Sequence, residues 1–253
     1  MSFDIDSTWL VAVLLVTIRL GVLFYATPFD AIGKLPVQVR VLTTVVLAAM
    51  LTSFLDLSDA AMPNSLPALF LFALHEVMVG LVMAFGLYCV FGSIMVAGKL
   101  IDFQAGFGAA QILNPATNAA SPLVGTALSL FAVVLFFVSN AYQVAIRGIA
   151  WSLTVSPPGS GLSGLNMAAI IKQFGLTYSY GIVIAAPVVG MLLLVDTGIA
   201  VMGRSMPQMN VYFLFLPLKI GAALILTAIA VRYLSPVLEQ LFLMSFRYWQ
   251  QAI

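Results

Sequence analysis

Charged residues are scarce in this sequence. Asp, Glu, Lys and Arg make up 8% of its 253 residues, against about 25% in an ordinary soluble domain. Ten basic and nine acidic residues cannot solvate the surface of a 27.0 kDa globule, which excludes a soluble enzyme and a disordered protein. Their near balance leaves no basic surface for nucleic acid. The hydrophobic share of 62% and the mean hydropathy of +1.12 instead indicate a membrane protein, or one that reaches its final place through a membrane.

Cysteine and histidine are almost absent, which limits the kinds of metal site and catalytic site that the chain can form. The single Cys89 excludes a disulfide framework, and the single His75 excludes a histidine-rich metal site. The HExxH and GxSxG motifs are missing as well, so we expect no enzymatic activity, no metal and no cofactor. His75 beside Glu76 is compatible with a proton relay, but an interfacial pair near a helix start is the expected arrangement. Cys89 is expected to be a packed core thiol.

Apolar runs that are divided by proline, glycine and charged residues predict an all-α, membrane-inserted fold. At about 20 residues per span, the chain has room for about six or seven helices. Six long, partly broken helices are expected at about 8–27, 38–55, 68–101, 123–155, 167–203 and 209–234. The tail from Pro236 to Ile253 predicts a further, amphipathic helix. Its Arg247, Tyr248 and Trp249 are typical of an interfacial anchor.

Four glycines fall six residues apart in the third of these helices, at positions 80, 86, 92 and 98. Six residues turn a helix by about 600°, so successive glycines point about 240° apart and form no GxxxG face. The spacing predicts close packing on several sides of this helix. Bending or partial unwinding is also expected, because Gly weakens a helix by up to about 1 kcal/mol relative to Ala.

The stretch from Asp102 to Pro122 differs from the rest of the chain. It contains Gly-Phe-Gly, two Gln and two Asn, and Asp102 is its only charged residue. It is too polar for a lipid-facing helix and too apolar for a solvated loop. Non-helical backbone survives at membrane depth only where protein or a water-filled cavity surrounds it. We therefore predict that this segment lines or plugs a passage; the alternative is an ordinary re-entrant packing loop.

Five charged residues lie inside apolar segments, where an ionisable group is costly and normally faces a partner or a cavity. They are Arg19, Arg147, Asp196, Arg204 and Lys219. Asp196 and Arg204 lie about 12 Å apart along one helix, too far to pair, so each needs a partner from another helix or chain. Snorkelling at a helix end suits Arg204, whereas buried partner contacts are expected above all for Asp196 and Lys219. We further expect the isolated chain to lack partners for these two residues.

Several short motifs follow one another between about residues 10 and 235. They are Arg19…Pro28-Phe29…Gly33-x-x-Pro36-x-x-x-Arg40, Ile101-Asp102-x-Gln104-x-Gly106, Asn114-Pro115-Ala116, Ser156-Pro157-Pro158-Gly159, Arg204-Ser-Met-Pro207-Gln208-Met-Asn210 and Pro217-Leu-Lys219. Their order and spacing resemble the FliR/SctT family of type III secretion export-gate proteins. Residues 28–40 and 104–159 resemble the flagellar branch, FliR, whereas 101–104, Asp196 and Lys219 resemble the injectisome branch, SctT. We favour the flagellar branch.

The resemblance implies a helical export-gate assembly in the bacterial inner membrane, at the core of the flagellar basal body. FliP-like and FliQ-like subunits, an FlhB-like protein, membrane lipid and unfolded export substrates are the implied partners, with no nucleic acid. It also implies a single FliR-like domain over 1–253, with a FliP-like part at about 1–195 and a FliQ-like hairpin at about 196–253.

Two groups of site residues follow from the resemblance and from the residue types. The predicted channel plug comprises Gly106, Phe107, Gly108, Gln111, Ile112, Leu113, Asn114 and Pro115. The predicted assembly contacts are Asp102, Gln104, Asp196, Arg204, Pro207, Gln208, Asn210 and Lys219. A small-solute transporter is the main rival from another class; Pro187 and Pro217 fit its broken helices, but no internal repeat relates the two halves. A purely structural membrane scaffold is a third alternative.

Overall fold

The structure, a computed structural model, describes residues 7–26, 36–55, 63, 65–107, 122–159, 165–205 and 211–253. Within these ranges the chain forms α-helices and no strand. The helices are α1 (Ser7–Tyr25), α2 (Val37–Thr52), α3 (Leu66–Ala105), α4 (Leu123–Val138), α5 (Ala141–Val155), α6 (Met167–Ser205) and α7 (Val211–Ala252). The predicted all-α fold is confirmed.

Four of the described helices are long and apolar enough to cross a membrane: α1, α3, α6 and the Phe213–Ala252 part of α7. The pair α4 and α5, bent by 73° at a short break, adds a fifth if it counts as one broken span. A 40-residue helix such as α3 is about 60 Å long. That is about twice the thickness of the hydrocarbon layer, so α3, α6 and α7 are each longer than one perpendicular span.

Two predicted helix boundaries are wrong. The single helix expected over 123–155 is divided at Ser139 and Asn140, where Asn140 adopts a left-handed conformation with φ 56°. Asn tolerates that conformation better than most residues. The separate C-terminal helix is instead continuous with the preceding one, and Pro217 and Pro236 both lie inside α7. Proline is tolerated inside apolar helices where neighbouring groups satisfy the freed backbone.

The chain divides into two compact units, each built from separate stretches of sequence. Unit 1 comprises Met1–Cys89, Asn140–Gln173 and Phe242–Ile253, and unit 2 comprises Val90–Ser139 and Phe174–Leu241. The predicted division into FliP-like and FliQ-like parts near 195 falls inside α6 and stays a prediction.

The core of unit 1 is closed by the end of α7. Trp249 is 1% exposed, and its Nε1 donates a hydrogen bond to the Met83 carbonyl at 2.9 Å. Tyr248 is buried beside it, whereas Arg247 is exposed. The predicted interfacial anchor is therefore wrong, because both rings fill space beside glycines. The core residues of unit 1 are Val16, Leu20, Leu23, Ala48, Val79, Val82, Met83, Ala84, Leu87, Ile149, Leu153, Phe246, Tyr248, Trp249 and Ala252.

Each of the four regularly spaced glycines of α3 lies against a different helix. In unit 1, a Cβ on Gly80 would meet the Arg19 carbonyl of α1 at 2.8 Å, and one on Gly86 would meet the Tyr248 and Trp249 rings of α7. In unit 2, Gly92 lies against α6, and a Cβ on Gly98 would overlap the α4 backbone. Close packing on several sides is confirmed. Partial unwinding is wrong, because α3 is continuous from Leu66 to Ala105.

Candidate functional site

Asp102, near the end of α3, caps the beginning of α4. Its Oδ1 accepts a hydrogen bond from the Val124 N–H at 3.0 Å, and its Oδ2 accepts one from the Gly125 N–H at 3.1 Å. The first N–H groups of a helix have no partner within the helix, and Pro122 at the N-cap position offers no side-chain hydrogen bond. A carboxylate from another helix therefore supplies the cap, and it is 6% exposed.

The end of α3 is itself closed by a glycine. Gly106 has φ 89°, its N–H donates to the Phe103 carbonyl at 3.2 Å, and the Phe107 N–H donates to the Asp102 carbonyl at 3.1 Å. This pair of hydrogen bonds is the Schellman motif, in which a left-handed Gly ends a helix. Gly106 and Phe107, predicted as the first plug residues, thus form the cap of α3. Their role in a plug stays a prediction.

A second polar contact ties α3 to the two long helices of unit 2. Lys219 of α7 pairs with Asp196 of α6, with 2.6 Å between Nζ and Oδ1. Gln104 of α3 donates from Nε2 to the other carboxylate oxygen, Oδ2, at 2.7 Å. The Lys219 side chain is 7% exposed and that of Asp196 33%. The expected partner contacts are confirmed, but the expectation that the isolated chain lacks partners for this pair is wrong.

We call these four side chains, Asp102, Gln104, Asp196 and Lys219, the polar junction. All of them belong to unit 2. Both carboxylates are engaged by donors, one by backbone N–H groups and one by an ammonium and an amide. The junction therefore offers a way to hold four helices in register rather than a set of reactive groups. The additional role of its members as contacts to other subunits stays a prediction.

Arg204 is the one further predicted assembly contact among the described residues, and it lies outside the polar junction. Arg204 lies in the last turn of α6 and is exposed, as is Arg147 on α5. The remaining predicted residues lie outside the part of the chain that the structure describes. They are Gly108, Gln111, Ile112, Leu113, Asn114, Pro115, Pro207, Gln208 and Asn210.

Unit 1 contains a buried ion pair between Arg19 of α1 and Glu76 of α3. Both side chains are 0% exposed, and Arg19 Nε donates to Glu76 Oε2 at 2.6 Å. Nη2 donates to Glu76 Oε1 at 3.1 Å and to the Ser156 carbonyl at 2.8 Å. Nη1 donates to the carbonyl and the hydroxyl of Ser152 at 3.1 and 3.2 Å. The guanidinium therefore binds the acid on α3 and the last carbonyls of α5 at once.

Ser156-Pro157-Pro158-Gly159, one of the sequence motifs, folds over this ion pair. Gly159 has φ 91°, a conformation that favours glycine, and its backbone also hydrogen-bonds to the Glu76 carboxylate. The Ser156 hydroxyl lies 3.1 Å from His75 Nε2. The motif therefore contacts the buried ion pair through Ser156 and Gly159.

Comparison with known proteins identifies the family of this chain. The family model described as "Bacterial export proteins, family 1" matches residues 10–245. This chain belongs to that family. It is 30% identical to the flagellar biosynthetic protein FliR of Bacillus subtilis, over 91% of this chain and 90% of that protein. It is 26% identical to the surface presentation of antigens protein SpaR of Shigella flexneri, over 79% and 77%. The predicted resemblance to the FliR/SctT family is confirmed.

The ion pair of this bacterial export protein was not predicted from the sequence. His75 and Glu76 were expected at an interface near a helix start, but they lie about ten residues inside α3 and are 2% and 0% exposed. The expectation is wrong because α3 begins at Leu66, and Arg19 supplies a partner for the acid. The available signal was a base within one apolar run and an acid within another, each costly alone.

Proposed function

We propose that this bacterial export protein is the FliR-type subunit of a flagellar type III export gate. Together with FliP-like and FliQ-like subunits it forms a channel for unfolded flagellar proteins, and an FlhB-like protein lies at the entrance. It resides in the inner membrane at the core of the flagellar basal body and catalyses no reaction. Its place as a component of a flagellar type III export apparatus follows from the family match and from FliR relatives in several bacteria.

The observation that carries this proposal is the family match over residues 10–245. The surface of the long helices supports it. In the most apolar 18 residues of α6, only 22% are buried inside the chain, and in those of α7 only 11%. Large side chains such as Leu194 and Ile225 are more than half exposed. Exposed apolar area on this scale marks contact with lipid or with partner proteins, as a subunit of a membrane assembly requires.

The predicted plug is the segment that closes the proposed channel. Residues 108–121 contain no charged side chain. They follow the cap of α3 and precede the capped start of α4. Burying Ile112 or Leu113 contributes about 1.5–3 kcal/mol each. Contacts of that size favour a closed channel and are still reversible when a substrate arrives.

Co-purification tests the proposal. The chain carries an affinity tag and is expressed with the FliP-like and FliQ-like proteins of the same bacterium, or alone. We expect a complex of all three proteins, and a low yield or aggregation of the chain by itself. An unrelated membrane protein with the same tag is the control for non-specific association of apolar chains. A monodisperse, folded monomer that leaves both partners behind would contradict the proposal.

The injectisome counterpart is the second candidate, and the match to SpaR favours it. Exchange of subunits separates the two. The gene for this chain is placed in one strain that lacks FliR and in another that lacks the injectisome counterpart. We expect restored motility in the first strain and no restored effector secretion in the second. The reverse pattern would assign the chain to the injectisome.

A further inference from the structure

Helix α4 does not provide its own N-terminal cap. Its first turn contains no acidic residue, and the preceding Pro122 makes no side-chain hydrogen bond. In an apolar setting water does not compensate unpaired N–H groups, so they need a protein acceptor. Asp102, more than twenty residues earlier in the chain, provides two acceptor atoms for the Val124 and Gly125 N–H groups. This cap therefore links the end of α3 to the beginning of α4.

Asp102 also takes part in the end of its own helix. Its carbonyl accepts the hydrogen bond from Phe107 that closes the cap of α3. One residue therefore contacts both sides of the stretch 108–121: the last described residue before it and the first turn after it. A second contact keeps the helices in this arrangement, because Gly98 and Gly125 bring the backbones of α3 and α4 together without intervening side chains.

We propose that Asp102 is a positioning residue, which holds the start of α4 against the capped end of α3. It thereby fixes the two points between which residues 108–121 run. The consequence for permeation rests on the proposed function, since it requires that this stretch closes a channel. The positional role does not, because it depends only on contacts among described residues.

Distance measurement between two spin labels tests the positional role. Phe103→Cys and Leu123→Cys carry the labels, since both side chains are exposed, at 82% and 58%, next to Asp102 and Val124. Cys89→Ala removes the one native thiol. The measurement uses the complete chain in complex with its co-expressed partners. We expect one narrow distance distribution for Asp102 and a broad one for Asp102→Asn, which loses the charge and one of the two acceptors.

The expected increase in the population with α4 detached from Asp102 is estimated from the free energies of known helix caps. Loss of a cap corresponds to an increase of about 2- to 30-fold in the detached population. Asp102→Glu keeps the charge and both acceptor oxygens on a longer stem, so it is expected to shift the distance without broadening it. Glu239→Gln, the same neutralisation at an exposed site on α7, is the matched control and is expected to leave the distribution unchanged. An unchanged distribution in Asp102→Asn, or equal broadening in Asp102→Glu, would overturn the positional role.

Membrane potential in growing cells separates this inference from the proposed function. We expect Asp102→Asn to broaden the distance distribution and also to lower the membrane potential, while Asp102→Glu keeps the potential closer to that of the parent. A broadened distribution with a normal potential would support the positional role and count against the plug. A lowered potential with an unchanged distance distribution would support a closing role for the region and refute positioning by Asp102.

Discussion

Replacement of Arg19 by methionine is expected to destabilise unit 1 strongly, because the change leaves a buried acid without its partner. The guanidinium makes five hydrogen bonds, two of them to Glu76 and the others to Ser152 and Ser156. Both members of the ion pair are 0% exposed. Removing one partner of such a pair costs about 3–5 kcal/mol.

The loss of stability arises from the uncompensated charge of Glu76 rather than from a cavity. Methionine follows much of the path of the arginine stem, so the lost volume is small compared with Arg19→Ala. Glu76, in contrast, retains among the described residues only the backbone hydrogen bond from Gly159, and the Ser152 and Ser156 carbonyls lose the guanidinium as a donor. Glu76→Leu is expected to cost a similar amount, since it leaves the guanidinium uncompensated in the same place.

A double-mutant cycle measures the pair. Thermal unfolding of the purified complex is compared for Arg19→Met, Glu76→Leu and the double variant, with Arg147→Met on the exposed side of α5 as the control. The double variant is expected to recover most of the stability, because replacing both members of a buried pair with apolar side chains is often neutral. A coupling energy of at least about 2 kcal/mol is expected. Additive losses, or single-variant losses below about 1 kcal/mol, would refute the reasoning.

Three further predictions concern unit 2 and the stretch before α4. Asp196→Leu leaves Lys219 uncompensated, so the yield of purified complex falls while membrane insertion persists; because Asp196 is one-third exposed, the expected loss is about 1–3 kcal/mol. A normal yield would show that the ion pair is dispensable. Deletion of 108–118 is expected to leave assembly largely intact and to depolarise the membrane; an assembled, tight and export-competent variant would exclude a plug. Gly98→Ala is expected to lower the melting temperature, because the added methyl overlaps the α4 backbone. Gly175→Ala is expected to raise the melting temperature, because no atom lies within 4 Å of the added methyl and Ala favours a helix more than Gly. Equal effects at both positions would count against the packing of α3.

Hydropathy predicted the helices of this protein well and their ends less well. The position of an apolar run depends on composition alone, and every helix among the described residues overlaps a predicted one, although α4 and α5 share one prediction and α7 spans two. The break at Asn140 depends on one residue in a left-handed conformation, which composition does not indicate. Pro236 lies within a continuous α7. Proline stops a helix only when nothing compensates the lost hydrogen bond, and the sequence does not say what packs beside it.

The energetic cost of burying a charge was enough to predict part of the site. That cost indicated that Asp196 and Lys219 need partners, and the structure pairs them with each other. It did not indicate which partner, because the answer depends on how two long helices align. That cost also did not indicate that Asp102 caps α4; the predicted contact of Asp102 to another subunit stays a prediction. A missing local cap, proline before α4 and no acid in its first turn, was the available signal.

Among the described residues, each unit contains one buried or partly buried ion pair, and each pair joins two different helices. Arg19 and Glu76 are 57 residues apart, and the second pair joins α6 to α7. Aliphatic faces pack in many registers, whereas a buried ion pair is satisfied in one. The pairs are therefore expected to contribute more to specificity than to stability, as a single buried polar residue does in a coiled coil. The variant Arg19→Met/Glu76→Leu distinguishes the two contributions. Recovered stability together with a broader set of protease-sensitive sites would assign the pair to specificity. Recovered stability with the digestion pattern of the parent would show that apolar packing alone sets the register of α1 on α3.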